Sequence, residues 1–134
     1  MEIAPGLKGE LRMVVKEEDT ARHLGSGKVN VLATPRMVSL MENASVAAVD
    51  HLLPEGQATV GGEIRVRHLA ATPMGMEVVV QSELTEVEGR RLTFQVEAFD
   101  QVEKVGEGTH IRFIIDLAKF RERIERKTTP SPEK

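Results

Sequence analysis

The chain has 134 residues, 40% apolar and 29% charged, the size and balance of one globular domain that can bury its own core. A net charge of −3 with no dominant basic face argues against nucleic acid as a partner, and four Phe with no Trp or Tyr argue against a surface of stacked aromatics. The absence of cysteine excludes disulfides, thiol nucleophiles, iron–sulfur clusters and thiolate zinc sites. No stretch approaches the ~18 apolar residues needed to cross a bilayer, so no membrane association is expected. The opening MEIAPGLKGELR lacks a basic region followed by an apolar run, which makes the cytoplasm the expected location.

Residues 8–16 alternate and predict a first strand, and 17–33, with Gly25, Gly27 and Asn30, read as a loop. Thr34-Pro35 opens a long helical pattern that runs to Leu53, with Thr34 as N-cap, Pro35 at the first helical position and Pro54-Glu55-Gly56 as the stop. The apolar arc of this helix is wide enough for burial nearly all round. The period then changes from 3.6 to 2. Residues 58–70 alternate, with Ile64, Val66 and His68 on one side, and Thr72-Pro73-Met74-Gly75 is a turn. Residues 76–87 place Val78, Val80 and Leu84 together, and Glu88-Gly89 marks a hairpin. Residues 90–100 group Leu92, Phe94, Val96 and Ala98. A turn over 100–106 leads to a last strand, 107–117, with Ile111, Phe113 and Ile115 on one face. Residues 118–127 read as a short charged helix, and 128–134 as a disordered tail. The fold class predicted is α+β: an antiparallel sheet of about five strands curled around one long helix, in a single domain over 1–127.

Glu42 stands out because it projects between Val38, Val46 and Val49, inside the apolar arc. A carboxylate there must be paired, hydrogen-bonded, held near neutrality, or placed at an opening or subunit boundary. His68 lies on the strand face that should pack against the same helix, as a core histidine or as an acid–base partner of Glu42. Thr34 sits where the first helical turn offers unpaired N–H groups and a positive dipole end, a natural oxyanion cradle. Glu42 lies eight residues further on, about 12 Å along the axis. Gly61-Gly62 reads as a bulge, a close approach of backbone to ligand, or a plain strand start. His23, His51 and His110 show no metal spacing, and no cofactor is expected.

The runs LATPRMVSLMENAS, VRHLAATPMGMEVVVQSEL, VEGRRLTFQVEAFD and GEGTHIRFIIDLAKF resemble the hotdog-fold thioesterases, in particular their fluoroacetyl-CoA thioesterase-like group, from about His23 to Phe120. In that group a Thr opens the central helix, a Glu follows eight residues later, and a His twenty-six after the Glu. The matching residues here are Thr34, Glu42 and His68, with Gly61 and Arg112 of the THxR segment corresponding to further group positions. The resemblance implies a hotdog fold and an acyl-CoA thioesterase that acts as a homodimer or dimer of dimers, with its site at the subunit interface. Thr34, Glu42 and His68 would be catalytic and Gly61 and Arg112 would bind substrate, with Glu42 as base or nucleophile. The aromatic lid of the fluoroacetyl-CoA enzyme has no counterpart in 24–33, so the substrate expected is a small or medium acyl-CoA. The alternative is a non-catalytic acyl-CoA binding or sensing domain on the same fold. A hotdog dehydratase would also pair a His with a carboxylate, but its motif is not matched.

Overall fold

The computed structural model describes residues 2–128. The elements are β1 (Lys8–Val14), a 3-10 turn (Glu17–Asp19), α1 (Ala21–Leu24), α2 (Thr34–Val49), a second 3-10 turn (Asp50–Leu52), β2 (Gln57–His68), β3 (Glu77–Glu88), β4 (Arg91–Asp100), β5 (Lys104–Asp116) and α3 (Leu117–Thr128). The strands form one antiparallel sheet in the order β1-β3-β4-β5-β2. The inner face curls around α2, as the α+β prediction required. β2 follows α2 in the chain yet closes the far edge by pairing with β5, so both β1 and β2 are edge strands.

Alternation explains the core. Val78, Val80 and Leu84 of β3 and Leu92, Phe94, Val96 and Ala98 of β4 are all buried against Met37, Leu40, Met41, Ala44 and Ala48 of α2. In β5 the alternation misleads. Ile111, Phe113 and Ile115 do share a face, but it is the face away from α2, and Phe113 is 39% exposed. His110 and Arg112 point inward instead and are almost completely buried. The polar pair is accommodated because each finds partners inside, whereas Phe113 lies over Gly62 on the outside.

Three boundaries differ from the sequence reading for identifiable reasons. The stretch 17–33 contains structure: Thr20 caps α1 by accepting a hydrogen bond from the His23 amide (3.2 Å). Buried Asp19 binds Arg36 of α2 (2.8 Å) and the Lys16 amide (2.9 Å), tying this segment to the start of the long helix. The long helix ends at Val49 and tightens to 3-10 because Asp50 turns its carboxylate to Thr59, accepting from its hydroxyl (2.6 Å) and amide (3.1 Å). β5 begins at Lys104 because Asp100 closes the preceding turn by accepting from the amides of Val102 and Glu103.

Burial of α2 is also less complete than its composition predicts. Val38, Glu42 and Val46, spaced i, i+4, i+8, form a half-buried stripe. The sheet stops at β2, so nothing among the described residues covers that flank fully. Thr128 belongs to α3, its hydroxyl bonding the Glu125 carbonyl (3.0 Å), and the rest of the predicted tail, 129–134, lies outside the described residues. No helix among the described residues is long and apolar enough to cross a membrane.

Candidate active site

α2 and β2 run antiparallel, so the start of the helix lies beside the end of the strand. Thr34 and His68 meet there: the Thr34 hydroxyl is 2.7 Å from His68 Nδ1. This overturns the capping role read from the sequence. The N-cap is Ala33, Thr34 is already helical, and no side chain caps the end. The hydroxyl is turned to the imidazole instead, which leaves the amides of the first helical turn without a side-chain cap. The other ring nitrogen, His68 Nε2, is buried without a hydrogen-bond partner among the described residues. Burial holds the His68 pKa below the ordinary imidazole value. The ring is therefore neutral at pH 7, with one nitrogen on Thr34 and the other available to a ligand.

The two residues border an open cleft whose other walls include Ala21, Ser26, Val31, Leu69 and Ala70. Every one of those side chains is small or aliphatic. Leu24 at the end of α1 and Leu69 beside His68 are exposed, at 46% and 44%.

Glu42 occupies the middle of the α2 flank, away from the Thr34–His68 contact. Its neighbours are on β2 and β5. A Cβ placed on Gly61 would lie 3.6 Å from Glu42 Oε2, 3.5 Å from Arg112 Nη1 and 3.4 Å from His110 Cε1. Gly61 therefore floors a small space bordered by a carboxylate, a guanidinium and an imidazole, within ordinary contact distance of each. The β2–β5 register shifts between Gly61 and Glu63, so the bulge reading of the paired glycines holds. Glu42 makes no ion pair within 4.0 Å among the described residues, although its charge acts on both His110 and Arg112.

Arg112 is anchored from below. Its Nε donates to Thr59 Oγ1 (2.8 Å), Nη2 donates to the Thr59 carbonyl (3.0 Å), and Thr59 donates in turn to Asp50. Nη1 lies 3.1 Å from His110 Nε2. Burial lowers the Arg112 pKa, opposed by Asp50 and Glu42, and the guanidinium remains charged.

The single chain thus brings Thr34 to His68, and Glu42 to Gly61 and Arg112. It does not bring Glu42 into contact with the Thr34–His68 pair. Sequence reasoning missed His110, Thr59 and Asp50. The sequence points to His110 only as a residue without metal spacing, while its spacing of two from Arg112 in a strand puts both on one face.

The buried histidines make stability depend on pH. His68 and His110 both have pKa values lowered by burial, so between the ordinary value near 6.5 and the lower folded value the unfolded chain binds more protons than the folded one. Stability therefore falls as pH drops below about 6.5 and is insensitive to these groups above 7. The melting temperature is expected to rise from pH 5 to pH 7 and then level off, with a shallower slope in His68→Gln. A flat profile from pH 5 to 7 would contradict it.

A family model for fluoroacetyl-CoA-specific thioesterases matches residues 15–118. The fluoroacetyl-CoA thioesterase of Streptantibioticus cattleyicolor is 44% identical over 121 residues, which cover 86% of this chain and 87% of that protein. A solved fluoroacetyl-CoA thioesterase superposes with a TM-score of 0.87 at 40% identity, covering 97% of this chain and all of the other. A thioesterase superfamily member from Thermus thermophilus gives a TM-score of 0.88 at 32% identity over 95% and 94% of the two chains. A hot-dog-like protein from Thermanaerovibrio acidaminovorans gives the same TM-score at 24% identity, over 95% of this chain and 94% of that one, a likeness of fold alone.

Proposed function

The chain belongs to the fluoroacetyl-CoA-specific thioesterase family and is a thioester hydrolase, and from that premise we propose that Thr34, Glu42 and His68 carry out the hydrolysis of a small or medium acyl-CoA. The observation that supports this most is the Thr34–His68 contact, with a neutral ring whose second nitrogen lies unpartnered near a cleft. His68 moves the proton, by way of Thr34 on one nitrogen and toward the departing thiolate on the other. The uncapped first turn of α2 faces the developing oxyanion with its amides and dipole. Glu42, half-buried near a guanidinium, acts as general base or nucleophile. Gly61 and Arg112 hold substrate on the Glu42 side. No Phe lines the cleft among the described residues, which supports a small or medium acyl group.

The same reading includes a homodimer, or a dimer of dimers, of single hotdog domains spanning 1–127. Two features support it. β2 is an edge strand, and the half-buried Val38–Glu42–Val46 stripe runs along the flank beside it. Antiparallel pairing of two β2 edges about a two-fold axis covers that stripe. It also turns the Glu42 region of one protomer toward the Thr34–His68 end of a second, closing a separation of about 12 Å that one helix cannot close. A cytoplasmic location goes with a CoA substrate and with a chain that needs no disulfide.

Release of free CoA from a panel of acyl-CoAs tests the activity, and turnover of none of them would leave the acyl-CoA binding-domain reading. Mixing inactive Glu42→Gln with inactive His68→Ala, denatured together and refolded, tests the shared site. A site built from two protomers leaves one intact centre in each mixed dimer, so roughly a quarter of wild-type activity returns. No return of activity in demonstrably mixed dimers would place all three groups within one protomer.

A further inference from the structure

His110 is 1% exposed and stands outside the proposed catalytic and substrate-binding set. Its two ring nitrogens have partners of opposite kinds. Nδ1 lies 2.8 Å from the Glu63 carbonyl, which can only accept. Nε2 lies 3.1 Å from Arg112 Nη1, which can only donate. The two partners together dictate one state: the neutral ring with its proton on Nδ1 and its lone pair on Nε2.

We propose that His110 is a positioning residue for the hydrolysis, fixing the Arg112 guanidinium so that it borders the space above Gly61 opposite the Glu42 carboxylate. The inference rests on the thioesterase reading above. Thr59 takes one N–H from Nε and one from Nη2, and His110 takes one from Nη1. Of the five N–H groups, one on each terminal nitrogen is left. Arg112 Nη1 and Glu42 Oε2 each lie about as far from the Cβ position of Gly61, 3.5 Å and 3.6 Å, without forming an ion pair. A water molecule in that space can accept a hydrogen bond from the remaining Nη1 N–H while it donates one to the Glu42 carboxylate. Without His110 the guanidinium is held on its Thr59 side alone, and Nη1 can tilt toward Glu42 and occupy the carboxylate that the reaction needs.

The charged groups facing His110 are Arg112 of β5 and Glu42 of α2. β4 presents the apolar ring of Phe94, 6.2 Å away, and β2 presents only the Glu63 carbonyl, its carboxylate lying outside beside Arg65 (3.5 Å). Burial and Arg112 keep the imidazole neutral against the opposite pull of the Glu63 carbonyl and Glu42. A second ring proton would set N–H against N–H and break the hold on Arg112.

His110→Leu removes both bonds, whereas His110→Gln can accept from Arg112 and donate to the Glu63 carbonyl through one amide. The expected result is a fall in kcat of at least ~10-fold in His110→Leu, with any rise in KM smaller than the fall in kcat, and recovery of most of the loss in His110→Gln. Wild-type kcat in a folded His110→Leu overturns the proposal, and so does a folded His110→Gln that recovers nothing. A wild-type protein that releases CoA from no acyl-CoA of the panel brings down the thioesterase reading instead, and is recognised before any variant is compared. If His110→Leu does not fold, nitrogen-15 NMR of the wild-type ring decides: a proton on Nε2 at pH 7 overturns the proposal, and a single proton on Nδ1 upholds it.

Discussion

Glu42→Gln and His68→Ala each lower kcat/KM for acyl-CoA hydrolysis by ~10²-fold or more while the fold survives. Gln keeps the shape of Glu, and no hydrogen bond or ion pair of Glu42 is broken by the exchange among the described residues. What disappears is a negative charge facing Arg112 across Gly61, and with it the base or nucleophile. His68→Ala removes the proton acceptor of the site and releases the Thr34 hydroxyl. Thr34→Ala affects rate less than either, and it also separates two accounts of the helix start. As an N-cap its loss would cost about 1 kcal/mol. Because Ala33 is the N-cap and Thr34 bonds to His68, the expected change in stability is within about 0.5 kcal/mol. Steady-state CoA release and thermal melts of the three variants check both points. Wild-type kcat/KM in stable Glu42→Gln and His68→Ala would remove the catalytic role.

Gly9→Ala is expected to destabilise the protein by about 3 kcal/mol, from overpacking at a position that looks unremarkable in sequence. Gly9 sits in β1 opposite Ser82 and faces α2 at Ala44 and Ala48. A Cβ there would fall inside the contact distance of the Ala44 carbonyl oxygen and 2.9 Å from the Ala48 amide nitrogen. Both are backbone atoms, so no side chain can turn aside. The helix cannot easily retreat, since Ser45 reaches past it to Ser82 of β3 (2.8 Å) and Arg36 is held by Asp19 at its start. At the entropy of unfolding of a chain this size, 3 kcal/mol lowers the melting temperature by about 10 °C. Lys8→Ala, one residue away and pointing outward, serves as the control. A Gly9→Ala melt within 2 °C of wild type would show that β1 and α2 are less closely apposed than described.

Much of the architecture was legible in the chain because its signals are local. The switch from a 3.6-residue to a 2-residue period after Gly56 separated the helix from the strands, and the positions Val78, Val80, Leu84, Leu92, Phe94, Val96 and Ala98 were read as core because alternation alone assigns them to one face. Resemblance to the thioesterases singled out Thr34, Glu42 and His68 by their spacing, and the family match agrees with the thioester hydrolysis that the resemblance implies. Short polar side chains were harder to read. Thr20, Asp50 and Asp100 shape the chain by bonding backbone or a distant residue, and whether such a residue caps, turns or reaches across depends on which partner arrives.

By itself the sequence determined the α+β class, the helix-in-sheet architecture and the identity of the candidate acid–base residues, because hydrophobic periodicity and residue spacing are properties of the unfolded string. Only the tertiary structure decided that β2 pairs with β5, that His110 and Arg112 point inward while Phe113 points out, that Thr34 bonds an imidazole instead of capping its helix, and that Glu42 keeps company with Gly61 and Arg112. Each of those depends on contacts between residues many positions apart. A polar side chain can satisfy its hydrogen bonds in several ways at similar cost, and the choice among them is made only when packing of the core brings one partner within reach.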